Sequence, residues 1–197
     1  MSIVYLVDDD EAIRDALAWL LRSRGVETRA WPDAEAFLAD YRAEMTGCLV
    51  LDMRMRAMTG MELFDRLREL GCDLPVIFLT GHGDVPLAVQ SVKKGAFDFL
   101  EKPYDDNQLA DRVIAAMAED VERRRADGDL AGRLASLTAR EREVMEHILA
   151  GKLNKVIADE MAISMRTVEV HRAHVFEKMG VKSAVELARL TRAGQRG

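Results

Sequence analysis

Carboxylates stand at the ends of two apolar segments of this chain. Asp52 follows the apolar run 48–51. An aspartate triplet at 8–10 follows the apolar run 3–7 in the same way. If both runs are strands of one parallel sheet, their carboxyl ends meet at one edge, where open sheets of this type bind ligands. Grouped carboxylate oxygens are the ligands that a hard divalent cation prefers.

A hydroxyl and an ammonium group follow two further apolar runs. The run 76–79 ends in Thr80, and the run 97–100 leads to Lys102. Each group has an ordinary explanation by itself, since an acid after a strand can cap a helix and a lone threonine or lysine can lie in a solvated loop. An acid pair, an acid, a hydroxyl and a lysine, in that order at four strand ends within about 100 residues, instead predict one pocket for a divalent cation and a phosphoryl group.

Alternating strand and helix patterns position these residues. Short apolar runs predict strands, and apolar residues at helical spacing predict the helices between them. Five such βα units predict an α/β fold, a five-stranded parallel doubly wound sheet with helices on both faces. The predicted strands are 3–7, 26–31, 48–52, 76–80 and 97–100. The predicted helices are 11–24, 33–43, 59–70 and 84–94, with a fifth from about residue 106.

The net charge changes sign along the chain. Residues 1–120 carry 13 Lys/Arg and 23 Asp/Glu, a net charge of −10, whereas residues 121–197 carry 15 and 11, a net charge of +4. Two domains with different partners are therefore expected, and a basic domain suits nucleic acid. Residues 121–136 are predicted to form a charged, helical linker. The helix from about residue 106 is expected to run into it, and Gly128 and Gly132 are expected to break that helix.

Beyond the linker only helical patterns remain. The short helices and the tight turn before the third of them are typical of a helix-turn-helix unit. A capping box at 138–141 begins the first helix. Residues 137–197 are therefore predicted to form a second, smaller all-α domain, with helices at about 138–150, 154–162, 166–179 and 183–192.

Membrane and secreted classes do not suit this chain. No apolar stretch approaches the roughly 18 residues that a bilayer span needs. The chain enters a strand-like run at once, without the basic region or cleavage site of a signal peptide. We therefore expect a cytoplasmic protein with no membrane partner. Cys48 and Cys72 lie beside apolar runs without metal-ligand spacing, which predicts buried structural thiols.

Taken in order, these motifs resemble a known family. One group is similar to the receiver domain of a bacterial two-component response regulator, at 6–10, 51–55, 79–86 and 99–103. A second group is similar to the LuxR-type DNA-binding domain, at 137–144, 154–158 and 167–172. Together they resemble the NarL/FixJ family, and the run Thr-Gly-His-Gly-Asp-Val-Pro points to the FixJ branch. The resemblance implies a flavodoxin-like receiver domain at 1–120 and a LuxR-type helix-turn-helix domain at 137–197.

The resemblance implies a role for each acid of the predicted pocket. Asp52 is the expected phosphoacceptor. Asp9 and Asp52 are expected to ligate Mg²⁺ directly, the backbone carbonyl of Arg54 completes the protein ligands, and Asp8 acts through a water. The chemistry agrees, because three adjacent carboxylates repel one another until a divalent cation neutralises them.

Three further residues are expected to bind or sense the phosphoryl group. Lys102 and Mg²⁺ neutralise two of its oxygens, and the Thr80 hydroxyl holds the third. Phe99 is the expected switch aromatic, which turns inward when Thr80 moves toward the phosphoryl group. A plain core phenylalanine explains Phe99 as well.

Arg56 departs from the family pattern. The family usually has a proline at this position, four residues after the phosphoacceptor. Proline stabilises the folded protein by roughly 0.4–1 kcal/mol, because it limits the conformational freedom of the unfolded chain. Its absence puts in question the rigidity of this loop and the lifetime of the phosphoryl group. The Arg56 side chain either contacts the phosphoryl group or a partner, or faces solvent.

The expected DNA contacts lie in and around the third helix of the second domain, 165–179. The N-terminal residues of such a helix face the major groove, and the candidates for base contacts are Thr167, Glu169, Val170, Arg172 and Ala173. Phosphate contacts are expected from Lys155, Arg166 and Lys178. Glu169 either accepts a hydrogen bond from cytosine N4 or remains a surface acid out of contact.

We therefore expect a phosphorylation-activated transcriptional regulator and not an enzyme. The expected partners are a histidine kinase, promoter DNA, a second copy of the chain on phosphorylation, and RNA polymerase. Dimerisation doubles the number of phosphate contacts with DNA and so raises affinity. One rival is an aspartyl-phosphate hydrolase, which needs a substrate lid. Another is a degenerate receiver controlled by protein contacts alone, for which Arg56 is the only support.

Overall fold

The computed structural model describes residues 3–81 and 85–193, without the side chains of 85, 86, 88 and 193. The chain divides into two compact units, Met1–Arg123 and Arg124–Gly197. We call them the first unit and the second unit. Residues 82–84, in the run that points to the FixJ branch, lie outside the described residues.

A parallel sheet with helices on both faces forms the first unit. Its strands are β1 (Ile3–Val7), β2 (Thr28–Trp31), β3 (Gly47–Asp52), β4 (Val76–Thr80) and β5 (Asp98–Glu101). They alternate with the helices α1 (Glu11–Ser23), α2 (Ala34–Asp40), α3 (Gly60–Glu69), α4 (Val85–Lys93) and the first part of α5 (Asp106–Ala135). The strand order is β2-β1-β3-β4-β5, and every neighbouring pair is parallel. The predicted doubly wound fold is confirmed.

Two predicted boundaries in the first unit are wrong by two residues or more, and the others agree to within one residue. β2 begins at Thr28 instead of residue 26, because the backbone N–H of Val26 bonds to the carbonyl of Leu21 and closes the end of α1. α2 ends at Asp40, three residues before its predicted end. The boundaries of short elements depend on such local hydrogen bonds, which a hydrophobic pattern does not encode.

The central strand β3 separates two hydrophobic cores. Leu49 and Leu51 face one core, and Cys48 and Val50 face the other, as the two-residue period of a strand requires. All four residues are at most 1% exposed. Cys48 and Cys72 are buried free thiols, which confirms the prediction, and burial raises the pKa of Cys48. Because both faces of β3 are covered, Asp52 at its end is held in a fixed position.

The prediction that Gly128 and Gly132 break the linker helix is wrong. α5 continues through both glycines to Ala135, although each costs about 1 kcal/mol relative to alanine in a helix. The reason lies in the packing: Leu130 is buried in the core of the second unit, and Leu134 packs against that core. Tertiary contacts therefore override the weak local preference.

Helices pack around a third core in the second unit. After the end of α5 it contains α6 (Ala139–Leu149), α7 (Asn154–Met161), α8 (Met165–Met179) and α9 (Ala184–Ala193). The predicted capping box is confirmed, with Thr138 bonded to the backbone N–H of Glu141 and Glu141 bonded back to Thr138. A turn with Ala162 in the left-handed region (φ 53°) joins α7 to α8. The predicted helix-turn-helix is thus formed by α7 and α8.

Candidate functional site

The sheet register brings the predicted acids together. Val7 pairs with Leu51 across β1 and β3, so Asp8 and Asp52, which follow directly, emerge side by side at the carboxyl edge of the sheet. The Asp8 carbonyl accepts a hydrogen bond from Arg14 of α1 at 2.7 Å. Asp10 caps α1, since its carboxylate accepts from the backbone N–H of Ala12.

Lys102 bridges the two buried acids. Its Nζ lies 2.6 Å from Oδ1 of Asp52 and 2.9 Å from Oδ2 of Asp8. The side chains of Asp52 and Asp8 are only 9% and 3% exposed, whereas that of Lys102 is 25% exposed. Lys102 follows β5, and its backbone N–H bonds to the carbonyl of Thr80 at 2.7 Å. Residues about 50 and 94 positions apart in the chain therefore form one ionic cluster.

The cluster is short of positive charge. Burial raises the pKa of the Asp52 carboxyl, and this outweighs the hydrogen bond and the charge of Lys102, which lower it. Burial alone lowers the pKa of Lys102, but the hydrogen bonds and charges of Asp52 and Asp8 bring it above its ordinary value. Lys102 is therefore an ammonium ion at neutral pH. One ammonium group cannot neutralise two carboxylates, so the cluster keeps a negative charge that attracts a further cation.

Asp9 lies apart from this cluster. Its Oδ2 is 3.4 Å from Nε of Arg56, and the side chains of Asp9 and Arg56 are 29% and 93% exposed. Over residues 3–81 and 85–193, no three His, Cys, Asp or Glu side chains are grouped so as to hold a metal ion. The three aspartates are divided between two cations, with Asp8 and Asp52 paired with Lys102 and Asp9 paired with Arg56.

Thr80 and Phe99 lie on neighbouring strands behind the acids. The Thr80 hydroxyl is fully buried and donates to the carbonyl of Leu100 at 3.3 Å. Phe99 pairs in register with Phe78 and packs, partly exposed, against the core that contains Leu49 and Leu51. Thr80 must give up its bond to β5 before its hydroxyl can serve a new acceptor.

Gly60 is a site residue that the sequence reasoning missed. It is the first residue of α3, and a Cβ built on it would lie 2.2 Å from the carbonyl oxygen of Asp52. The loop between β3 and α3 therefore folds back onto Asp52 only with glycine here. The backbone N–H of Arg54 in this loop donates to Oδ2 of Asp52 at 2.9 Å. The small residue after the helix cap Thr59 was the only sequence signal for this contact.

The second unit presents one exposed face of α8. Four of the predicted DNA-contact residues are spaced by three or four positions and are exposed: Arg166, Glu169, Val170 and Ala173. The buried residues Val168, Val175 and Met179 occupy the opposite side of the helix. Lys155, near the start of α7, is exposed as well. Because these side chains are exposed, this face suits contact with another molecule.

Three other predicted DNA-contact residues already have partners within the second unit. The hydroxyl of Thr167 lies 2.8 Å from that of the α8 cap residue Ser164. The guanidinium of Arg172 stacks over the ring of Phe176 at 5.4 Å. Lys178 Nζ lies 2.6 Å from Oε2 of Glu141 and 3.1 Å from the Ser136 carbonyl. A phosphate contact by Lys178 has to compete with Glu141.

The Glu141–Lys178 pair joins α6 to α8. Glu141 is 4% exposed. The hydrogen bond from Lys178, together with that from the backbone N–H of Thr138, lowers the pKa of Glu141 to about 2. The pair therefore fixes the helix that carries the exposed face.

Glu141→Gln is expected to destabilise the second unit at neutral pH and to matter little near pH 2. An acid whose pKa falls on folding stabilises the fold above its unfolded value of 4.5 and loses this contribution as the pH falls through about 2. The difference in free energy of unfolding between parent and variant should therefore shrink between pH 4.5 and 2. Urea unfolding followed by circular dichroism measures it. Trp19 and Trp31 lie in the first unit, so their fluorescence identifies the other transition.

Glu143→Gln is the matched control for this experiment. Glu143 lies on the same helix and pairs with Arg140 at 2.8 Å, but the two side chains are 50% and 58% exposed. Exposed pairs contribute at most about 1 kcal/mol, so this variant should stay close to the parent. A Glu141→Gln effect that is the same at pH 7 and pH 2 would contradict the role given to the buried pair.

Comparison with known proteins matches both units. Residues 4–114 match the family model of the response regulator receiver domain, and residues 135–191 match that of the bacterial regulatory proteins of the luxR family. The chain belongs to the response regulator family. The resemblance found in the sequence, including the NarL/FixJ type, is confirmed. Response regulators that combine these two domains are transcriptional regulators of two-component systems, not enzymes.

Full-length relatives share this organisation. The C4-dicarboxylate transport transcriptional regulatory protein DctR of Rhodobacter capsulatus is 50% identical, over 95% of this chain and 98% of its own length. The transcriptional regulatory protein FixJ of Bradyrhizobium diazoefficiens is 45% identical over 97% and 95%. Among solved structures, the response regulator StyR aligns with a TM-score of 0.67 at 40% identity, over 97% of this chain and 98% of that one. Full-length FixJ from B. japonicum aligns with a TM-score of 0.60 at 43% identity, over 98% and 97%.

Response regulators take a phosphoryl group from a histidine kinase, and the luxR-type unit binds DNA. These relationships make a histidine kinase and DNA the partners of the chain. In the part of the chain that the structure describes, no helix is both long and apolar enough to cross a membrane.

Proposed function

We propose that Asp52 accepts the phosphoryl group and that its phosphorylation activates DNA binding by the second unit. The observation that carries the proposal is the contact of the buried Asp52 carboxylate with the Lys102 ammonium, 2.6 Å apart at the carboxyl edge of the sheet. A carboxylate fixed at such an edge, beside a cation, is suited to phosphoryl transfer, which needs mainly positioning and charge neutralisation.

The transfer step uses groups already in place. A carboxylate oxygen of Asp52 forms a bond to phosphorus, while the bond from phosphorus to the imidazole nitrogen of the kinase phosphohistidine breaks and the nitrogen keeps the electron pair. Lys102 is bonded to Asp52 beforehand and stays beside the transferred oxygens. The backbone N–H of Arg54 bonds to Oδ2 of Asp52 and orients the carboxylate.

The donor set of the site suits Mg²⁺. This ion usually binds one or two carboxylates and keeps several waters, so a group of three acids is not required. Asp9, Asp52 and the carbonyl of Arg54 would hold the ion, with Asp8 acting through a water. When bound, Mg²⁺ neutralises charge on the transferring oxygens. Asp9 has to leave Arg56 to take part.

Thr80 and Phe99 form the proposed switch. A phosphoryl group adds about −1.5 to −2 charges, and only contacts that differ between two states can use them. The Thr80 hydroxyl exchanges its bond to Leu100 for one to the phosphoryl oxygen, and Phe99 turns inward. The altered surface around α4 and β5 then favours a homodimer.

The second unit acts as the DNA reader. Glu169, Val170 and Ala173 lie on the exposed face of α8, the helix that enters the major groove in helix-turn-helix proteins. Thr167 and Arg172 flank that face, and Lys155, Arg166 and Lys178 serve the phosphates. Because promoter DNA and RNA polymerase share the bacterial cytoplasm, the protein acts there, with RNA polymerase as a further partner.

Substitutions at Glu169 or Val170 are expected to change which DNA sequence is preferred. Each lost base contact costs on the order of 1–3 kcal/mol. Lys155→Gln should instead weaken binding to all sequences alike and reduce the salt dependence by about one phosphate contact, because phosphates carry no sequence information. Selection from random DNA with each full-length variant measures the preference. If Glu169→Gln and Val170→Ala both select the parent site, the proposed reading face is wrong.

A further inference from the structure

The three carboxylates at the sheet edge are shared between two cations of the protein itself. Lys102 binds the two buried ones, Asp8 and Asp52, and Arg56 binds the more exposed one, Asp9. Lys102 is held between two acids at 2.6 and 2.9 Å, whereas among the residues that the structure describes Arg56 pairs with Asp9 alone, at 3.4 Å. The two cations therefore differ greatly in how firmly they are placed.

Packing does not hold the Arg56 side chain. It is 93% exposed, so charge attraction to Asp9 is what keeps it there. Its position in the loop between β3 and α3 is the one where the family pattern has proline, which carries no charge.

We propose that Arg56 competes with the divalent cation for Asp9 and thereby lowers the metal affinity of the unphosphorylated protein. The inference rests on the proposed function, in which Asp9 is a metal ligand. Metal binding requires Asp9 to exchange a monovalent partner for a divalent one, while the guanidinium charge remains nearby. Arg56 thus sets how much metal is needed before phosphorylation can begin.

The size of the effect follows from the exposure of the pair. Exposed ion pairs contribute about 0.2–1 kcal/mol, which corresponds to a factor of up to about five in affinity. Removal of the Arg56 charge should therefore tighten metal binding by a factor of about 1.4 to 5. Salt should reduce the difference, because the screening length falls from about 10 Å at 0.1 M to about 3 Å at 1 M.

Electron paramagnetic resonance of free Mn²⁺ tests the proposal on the unphosphorylated full chain. Mn²⁺ accepts the same oxygen ligands as Mg²⁺, and displacement by added Mg²⁺ gives the Mg²⁺ affinity. Arg56→Gln should bind Mn²⁺ more tightly than the parent at low salt, by a factor of about 1.4 to 5. Arg56→Lys keeps the charge and should remain near the parent. Arg29→Gln, at an exposed position of β2, controls for loss of a positive charge elsewhere on the first unit.

Asp9→Asn separates failure of this inference from failure of the proposed function. If Asp9→Asn weakens Mn²⁺ binding but Arg56→Gln leaves it unchanged or weakens it, the competition is wrong and the metal site stands. If Arg29→Gln tightens binding as much as Arg56→Gln, the effect is one of overall charge and the competition is equally wrong. If Asp9→Asn binds Mn²⁺ as well as the parent, Asp9 is not a ligand; the competition then fails together with the role proposed for Asp9, whereas the phosphoacceptor role of Asp52 is tested separately by its phosphorylation.

Discussion

Asp52→Asn is expected to abolish phosphorylation of this protein. The full chain, incubated with Mg²⁺ and acetyl phosphate, should gain one phosphoryl group, whereas the variant should gain none. Asparagine keeps the size of the side chain but lacks the carboxylate that forms the new bond. Intact-mass measurement counts the groups transferred. Asp65→Asn is the matched control, because Asp65 is an exposed acid of the same unit, paired with Lys94, and it should be phosphorylated like the parent.

Loss of phosphorylation in Asp52→Asn should not come from unfolding. The pKa of Asp52 is raised in the folded protein, chiefly by burial. Such a group stabilises the fold only while protonated, and its ionised form opposes folding as the pH rises through its unfolded value. A neutral amide at this position is therefore expected to leave the unfolding midpoint at pH 7 at or above that of the parent. Phosphorylation of the variant to full yield would place the acceptor elsewhere.

Gly60→Ala is expected to damage both the stability and the phosphorylation of the first unit. A Cβ at Gly60 would lie 2.2 Å from the backbone carbonyl oxygen of Asp52, and neither atom belongs to a flexible side chain. Overpacking of this kind costs typically 1–3 kcal/mol. The displaced loop carries Arg54, whose backbone N–H orients Asp52. Tryptophan fluorescence during urea unfolding gives the free energy of unfolding of the first unit, and the reaction with acetyl phosphate gives the rate of phosphorylation.

Gly132→Ala is the matched control for Gly60→Ala. Gly132 also lies within a helix, but nothing stands within 4 Å of a Cβ built there. Because Gly132 belongs to the second unit, alanine should stabilise the helix there by about 0.5–1 kcal/mol, measured by circular dichroism. It should leave both the tryptophan-monitored unfolding of the first unit and phosphorylation unchanged. Equal stability of Gly60→Ala and the parent would show that the loop does not need glycine, and the description of the site would have to change.

The sequence was sufficient to predict the sheet and the residues at its edge. Apolar runs with charged or hydroxyl residues at their ends are local signals, and parallel strands place those ends together whatever the details of the loops. Asp8, Asp52 and Lys102 accordingly meet within hydrogen-bonding distance.

The pairing of charges within the site was beyond the sequence. A pattern predicts that Asp9 and Lys102 lie near Asp52, but not that Lys102 bridges Asp8 and Asp52 while Asp9 turns to Arg56. That choice depends on burial and on distances between residues far apart in the chain. The close approach of Gly60 to Asp52 is a backbone contact, and its only trace in the sequence is a single glycine after the helix cap Thr59.

In the second unit, two features depend on tertiary contacts and not on local sequence preference: the continuation of α5 and the partner of Lys178. Gly128 and Gly132 predict a break, yet Leu130 keeps α5 helical through its place in the core. Lys178 reads as a phosphate contact until the structure pairs it with Glu141. A basic residue on a recognition helix can serve either DNA or the fold, and only its neighbours in space distinguish the two.

DNA binding by the phosphorylated full chain tests the central claim most directly. The claim is that one phosphoryl group on Asp52 raises the affinity of the second unit for DNA. A site selected from random DNA by the acetyl phosphate-treated parent should be bound more tightly by the phosphorylated protein than by the untreated one at the same salt concentration. The Asp52→Asn variant should bind like the untreated parent under both conditions. Equal affinity of the phosphorylated and untreated parent, or an increase that persists in Asp52→Asn, would contradict the account.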